Sequence, residues 1–92
     1  MTYEVSLTPA AVKYLGKMQK KIARQLVRRL EGLADDPQPR GCVKLKTDKE
    51  RYRIRSGDYR IIYEIRDKVL LVLVIRIDHR QSIYDKFKRS ND

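Results

Sequence analysis

Tyr52-Arg53-Ile54-Arg55-Ser56-Gly57-Asp58-Tyr59-Arg60-Ile61-Ile62-Tyr63-Glu64-Ile65 is the stretch that decides the fold. Tyr52 to Arg55 alternates apolar and charged residues, the period of a half-buried strand. Ser56-Gly57-Asp58 is a turn of hairpin type. Beyond it Tyr59, Ile61, Tyr63 and Ile65 share one face of the next strand, and Arg60, Ile62, Glu64 and Arg66 share the other. Two antiparallel strands with one apolar and one arginine-bearing face follow from these residues alone.

Working outward, Asp67-Lys68 makes a tight connection into the apolar run Val69 to Ile77. That run has no polar alternation until Arg76, so it is expected to be a central strand covered on both faces. Upstream, Cys42-Val43-Lys44-Leu45-Lys46 reads as a short alternating strand, and Tyr3 to Leu7 as another. Thr8-Pro9 has the form of a helix N-cap with proline at the first helical position, where its missing N–H costs nothing. Ala11, Leu15, Met18 and Ile22 continue at helical spacing, with a break expected near Gly16 to Lys20. A second, stronger amphipathic helix runs through Leu26, Val27, Leu30 and Leu33, until Asp35-Asp36-Pro37 stops it. Gln81 to Lys88 has the spacing of one or two helical turns around Ile83, Tyr84 and Phe87. The expected class is α+β: an N-terminal strand, a helical hairpin, then a mainly antiparallel sheet of about four further short strands with a short C-terminal helix. Residues 1–92 are expected to form one domain, with a frayed tail from Lys88.

Composition narrows the partners. Twenty-two Lys and Arg against twelve Asp and Glu leave a formal charge of +10, which points to a polyanion such as RNA or DNA. No apolar run approaches the roughly 18–20 residues needed to span a bilayer, and no signal-like core follows Met1, so a cytoplasmic protein without a membrane partner is expected. One cysteine, Cys42, excludes an internal disulfide framework, and one cysteine with one histidine cannot build an ordinary zinc site. Walker loops, nucleophile elbows and zinc-protease motifs are absent from the sequence. Asp35-Asp36 beside two prolines reads as a helix stop rather than a metal site.

The positive charge is unevenly placed. Thr8 to Ala34 holds seven basic residues and one acid, and Arg40 to Arg60 holds eight against three. On the helices such residues also serve as ordinary solvated helix formers. On the strands, Arg51, Arg53 and Arg55 leave the same face, and Arg60 follows the turn close to them. Arg76 and Arg80 come from the end of the next strand, with Tyr84 soon after. Repeated arginine where Thr, Glu or Lys would also meet water favours phosphate, which a guanidinium holds in a bidentate fork. A merely solvated sheet face is the competing account.

The stretch from Tyr52 to Ile65, followed by Leu71-Val72-Leu73-Val74-Ile75-Arg76-Ile77-Asp78-His79-Arg80-Gln81-Ser82-Ile83-Tyr84, resembles the RelE/ParE toxin superfamily. Lys44-Leu45-Lys46 and the N-terminal strand with its helical hairpin fit the same pattern. The retained arginines and Tyr84 resemble the RelE branch, toxins of toxin–antitoxin pairs that cut messenger RNA in the ribosomal A site. The ParE branch shares the fold and poisons DNA gyrase.

The resemblance implies roles position by position. A basic pair stands at Arg53 and Arg55, an arginine at Arg60, another at Arg80 and a tyrosine at Tyr84; Lys46, Arg51 and His79 are further RNA contacts. It implies no metal or other cofactor. The 2′-hydroxyl attacks the adjacent phosphate, leaving a 2′,3′-cyclic phosphate and a free 5′-hydroxyl. Arg53 and Arg60 are expected to carry transition-state charge, and Arg80 to protonate or stabilise the leaving oxygen. Arginine, with a pKa above about 12, cannot act as a base near neutrality. Proton abstraction then falls to Tyr84, which also offers a stacking platform, to His79, or to another group. The implied partners are a neutralising antitoxin, the ribosome and its message, with a toxin–antitoxin hetero-oligomer binding operator DNA through the antitoxin. Two other readings stay open: a gyrase inhibitor, and a basic nucleic-acid-binding homologue without activity. Tyr52, Tyr59 and Tyr63 fall at apolar parity and are expected in the core rather than stacked on bases.

Overall fold

Alternation and turn chemistry produce five strands and two helices among residues 2–79, the part of the chain that the computed structural model describes. Strand β1 (Glu4–Leu7) runs straight into Thr8, whose hydroxyl accepts the Ala11 N–H at 3.3 Å and caps helix α1 (Pro9–Gly16). Helix α2 (Lys20–Gly32) completes the hairpin and turns Leu26 and Leu30 inward. Strands β2 (Val43–Lys44), β3 (Arg51–Ser56), β4 (Tyr59–Arg66) and β5 (Leu71–His79) follow.

The sheet order is β1-β5-β4-β3-β2, with β1 parallel to β5 and every other pairing antiparallel. Gly57, at φ +59°, is the first central residue of the β3–β4 turn, as a type II′ hairpin requires. The two helices lie on one face. Ala11, Leu26, Leu30 and Leu33 meet Tyr52, Ile54, Ile61, Tyr63, Ile65, Val72, Val74 and Ile77 in a single core. Each Leu, Ile or Val among them contributes about 1.5–3 kcal/mol when fully buried. Tyr63 is completely buried, stacks on Tyr52 at 5.9 Å between centroids, and donates its hydroxyl to the Pro37 carbonyl at 2.6 Å. Burial pushes the Tyr63 phenol far above its ordinary range.

Three expectations change. The segment around Cys42 forms a ladder with β3 only at Val43 and Lys44, extended by one backbone hydrogen bond from the Leu45 N–H to the Arg51 carbonyl at 2.9 Å. Val69 closes a 3₁₀ turn over Asp67–Val69, and Leu70 takes a left-handed φ of +48° before β5 begins at Leu71. Val72 and Val74 are fully buried under the helices, whereas Leu71, Leu73 and Ile75 are only half-buried on the other face. No described element lies over that face. The expected C-terminal helix, with Arg80 and Tyr84, falls outside the described residues. No described helix is long and apolar enough to cross a membrane.

Candidate functional site

The uncovered face of the sheet is where the arginines converge. Strict alternation along β3 sends Tyr52 and Ile54 into the core and Arg51, Arg53 and Arg55 to the open side. The short Gly57-Asp58 turn then fixes the register, so that Arg55 stands directly opposite Arg60 and Arg53 opposite Ile62. Directly opposed residues have Cβ atoms about 4.5–5.5 Å apart, which places the two guanidinium groups of the first pair within reach of one phosphate.

Strand β5 adds to this face through an irregularity. Ile62 pairs with Arg76 but Tyr63 pairs with Val74, so Ile75 is an extra residue without a register partner on β4. Counting by twos from Val72 and Val74 would send Arg76 and Asp78 into the core. The bulge reverses the phase, burying Ile77 and turning Arg76 and Asp78 to the open side. Two rows result across the sheet: Arg53–Ile62–Arg76 and Arg55–Arg60–Asp78. The bulge is held from behind by Thr8, whose N–H donates to the Val74 carbonyl at 3.0 Å and whose hydroxyl donates to the Ile75 carbonyl at 2.7 Å.

Charge pairing divides the arginines. Arg51 and Arg66 donate to the two oxygens of buried Glu64 at 3.2 and 2.6 Å. The Arg66 hydrogen bond, joined by that from Arg51, holds the Glu64 carboxyl below the usual carboxylate range against the opposing effect of burial. Arg76 pairs with Asp78 at 2.8 Å. Arg53, Arg55 and Arg60 make no ion pair with any described residue. Arg60 Nε is moreover buried without a hydrogen-bond acceptor among the described residues, a condition that costs about 1–3 kcal/mol and recurs at functional sites.

The residues singled out from the sequence therefore separate. Arg53, Arg55 and Arg60 come together. Arg51 shares their face but is engaged by Glu64. Lys46 lies in the turn after β2, at the opposite end of β3 from the Arg55–Arg60 pair. His79 is on the helix-covered side, edge-on to Tyr59 at 4.9 Å between centroids. Arg80 and Tyr84 are outside the described residues. Arg76, named with the strand arginines but given no catalytic or RNA-binding role, and Asp78, not singled out, join the site. The signal for them was Arg76-Ile77-Asp78, where a lone apolar residue between charges restarts the alternation out of phase with Val72 and Val74.

A helical hairpin on one face of a five-stranded, mainly antiparallel sheet is the fold this chain shares with solved RelE-type toxins. Residues 5–84 match the family model described as the ParE toxin of type II toxin–antitoxin systems, and the chain belongs to that family. Within it the relationship is to RelE-type toxins. The chain is 32% identical to toxin RelG of Mycobacterium tuberculosis over 85 residues, covering 91% of this chain and 98% of the relative. Its fold superposes on the archaeal RelE–RelB complex of Pyrococcus horikoshii OT3 with a TM-score of 0.75 and 29% identity, covering 87% of this chain and 97% of the other. The RelBE2 toxin–antitoxin complex of Mycobacterium tuberculosis gives a TM-score of 0.76 at 29% identity, covering 87% and 100%.

Proposed function

We propose that this RelE-type toxin is a ribosome-dependent endoribonuclease that cuts messenger RNA in the A site by metal-independent attack of the 2′-hydroxyl. The observation that carries the reading is the trio Arg53, Arg55 and Arg60, free of described carboxylate partners on one sheet face in a chain of this toxin family. In this reading Arg53 and Arg60 take up the charge that builds on the phosphorane-like transition state, a preorganised contribution of several kcal/mol. Arg55 holds the phosphate beside them. Arg80 serves the leaving oxygen, and Tyr84 stacks on a base or assists proton transfer. Lys46 and Arg51 contact flanking RNA, with the net charge of +10 drawing the protein to ribosomal RNA; His79, set against Tyr59 on the helix-covered side, is not among these contacts. The toxin acts in the cytoplasm.

The neutralising partner is a cognate antitoxin whose carboxylates meet the free arginines, as opposite potentials do across interfaces. Support comes from the relatives, which include RelE–RelB and RelBE2 complexes. The hetero-oligomer binds operator DNA through the antitoxin.

The family model that matches is the one for ParE, which favours a second reading, inhibition of DNA gyrase. One pair of assays separates them. A translation reaction with purified ribosomes and a defined message should yield codon-positioned cuts ending in a 2′,3′-cyclic phosphate, and only when ribosomes are present. An intact message together with blocked gyrase supercoiling supports the second reading and removes the first.

A further inference from the structure

The arginine trio lacks one component that the proposed cleavage needs. Arginine stays protonated near neutrality, so none of the three can take the proton of the 2′-hydroxyl. Four described carboxyl or imidazole groups lie near enough to consider. Glu64 is closed off, with one oxygen to Arg51 and the other to Arg66. His79 is on the helix-covered side against Tyr59. Asp58 is exposed in the turn, past the end of the β3–β4 ladder. Asp78 is different: it is the register partner of Arg60 and completes the row that starts at Arg55, on the open face.

We infer that Asp78 is the general base of the cleavage, an inference that rests on the endoribonuclease reading above. Its side chain is only 17% exposed, and its Oδ2 is 2.8 Å from Arg76 Nε, an ion pair that engages that one oxygen. The other oxygen makes no ion pair or hydrogen bond with a described residue. The charged and titratable groups around it are Arg76 on its own strand, Arg60 and then Arg55 across the sheet, and the Tyr14 hydroxyl of α1, which feels the Asp78 charge. The bulge at Ile75 is what brings it there, since regular alternation would have pointed Asp78 into the core.

The step balances without any further reagent. The free Asp78 oxygen takes the 2′-hydroxyl proton while O2′ forms its bond to phosphorus. Arg53, Arg55 and Arg60 hold the non-bridging oxygens as the P–O5′ bond breaks. The departing O5′ keeps the electron pair and takes a proton from solvent, and Asp78 returns its proton to water. The products are the 2′,3′-cyclic phosphate and the free 5′-hydroxyl.

The test is single-turnover cutting of a defined message on purified ribosomes by the full-length chain, with Asp78→Asn, Asp78→Glu, Arg76→Met and the double variant Asp78→Asn/Arg76→Met. Asp78→Asn keeps the shape and an acceptor for Arg76 but removes the base. The expected result is a maximal rate at least about 100-fold below wild type, the lower end for general-base catalysis, at an unchanged half-saturating toxin concentration. Asp78→Glu should recover part of the rate. The double variant should be as slow as Asp78→Asn, and it keeps the question answerable if an uncompensated Arg76 unfolds the single variant. If Asp78 serves only to neutralise Arg76, the double variant matches Arg76→Met and the inference is overturned. It is also overturned if Asp78→Asn cuts within about threefold of wild type, or if the whole loss lies in the half-saturating concentration; in both cases the endoribonuclease reading stands. Wild-type protein that leaves the message intact on ribosomes overturns both.

Discussion

Arg55 and Arg60 face each other across the β3–β4 ladder, with no described carboxylate in ion-pair contact with either. Like charges placed directly opposite are destabilising by a few tenths of a kcal/mol to about 1 kcal/mol, and the buried, unpartnered Arg60 Nε adds to that cost. A fold maintained by packing alone has no use for the arrangement, whereas a site that receives a phosphate does. Arg60→Met should therefore raise stability in urea by about 0.5–1 kcal/mol while reducing message cutting by about 100-fold or more. Equilibrium unfolding and single-turnover cutting read the two effects separately. A variant that is both less stable and fully active would refute the assignment.

Glu64 predicts an acid-sensitive fold. The hydrogen bond from Arg66, joined by that from Arg51, depresses its carboxyl in the folded state, so the unfolded chain binds the proton more readily. The stability this confers is complete above the unfolded value of about 4.3 and is lost as pH falls through the lower folded value. Glu64→Gln should lower stability at neutral pH by about 1 kcal/mol, a modest figure because both arginines are partly in water. Below the usual carboxylate range the variant and the parent should converge. Thermal midpoints measured from pH 3 to 7 check this; parallel curves would show that Glu64 does not carry the acid sensitivity.

The polar end of the core supplies an independent check. Tyr63→Phe leaves the ring stack on Tyr52 in place and removes only the hydroxyl bound to the Pro37 carbonyl. The loss should be about 1–2 kcal/mol, because the carbonyl keeps an unfilled acceptor after α2. Cutting activity should be unaltered, since the phenol lies on the side of the sheet away from the arginines. Denaturation midpoints and a cutting assay on the same preparation are sufficient.

Local pattern carried most of the architecture. Thr8-Pro9 marked the start of α1, Pro37 the stop after α2, and Gly57-Asp58 the tight turn that sets Arg55 against Arg60. The parity of Arg51, Arg53 and Arg55 was equally plain. Two kinds of information were not local. Whether an arginine is free or committed depends on its neighbour across the sheet: Arg51 is taken by Glu64, thirteen residues away, and no feature of β3 announces it. Nor does a continuous apolar run reveal its own phase. Val69 to Ile75 offers no polar residue to count from; Arg76-Ile77-Asp78 restarts the alternation, but that the change of phase is a bulge at Ile75, and so where Asp78 stands, follows only from strand pairing.

That dependence makes Thr8 the most informative distant residue. Its hydroxyl accepts from Ala11 at the start of α1 and donates to the carbonyl of Ile75, and so joins a helix cap to the bulge that orients Arg76 and Asp78. Thr8→Val keeps the shape but loses both bonds, at a cost of about 1–2 kcal/mol typical of a lost cap. Thr8→Ser retains both and should stay within about 0.5 kcal/mol of the parent. With the Ile75 carbonyl released, the bulge is free to relax and the arginine row loses its fixed spacing to Asp78. Errors of about 1 Å in such positions can cost about 100-fold in rate. Thr8→Val, assayed well below its melting temperature, should therefore cut far more slowly than its folded fraction accounts for, while Thr8→Ser cuts normally. If cutting by Thr8→Val simply follows the folded fraction, the cap matters to α1 alone and the bulge is held without it.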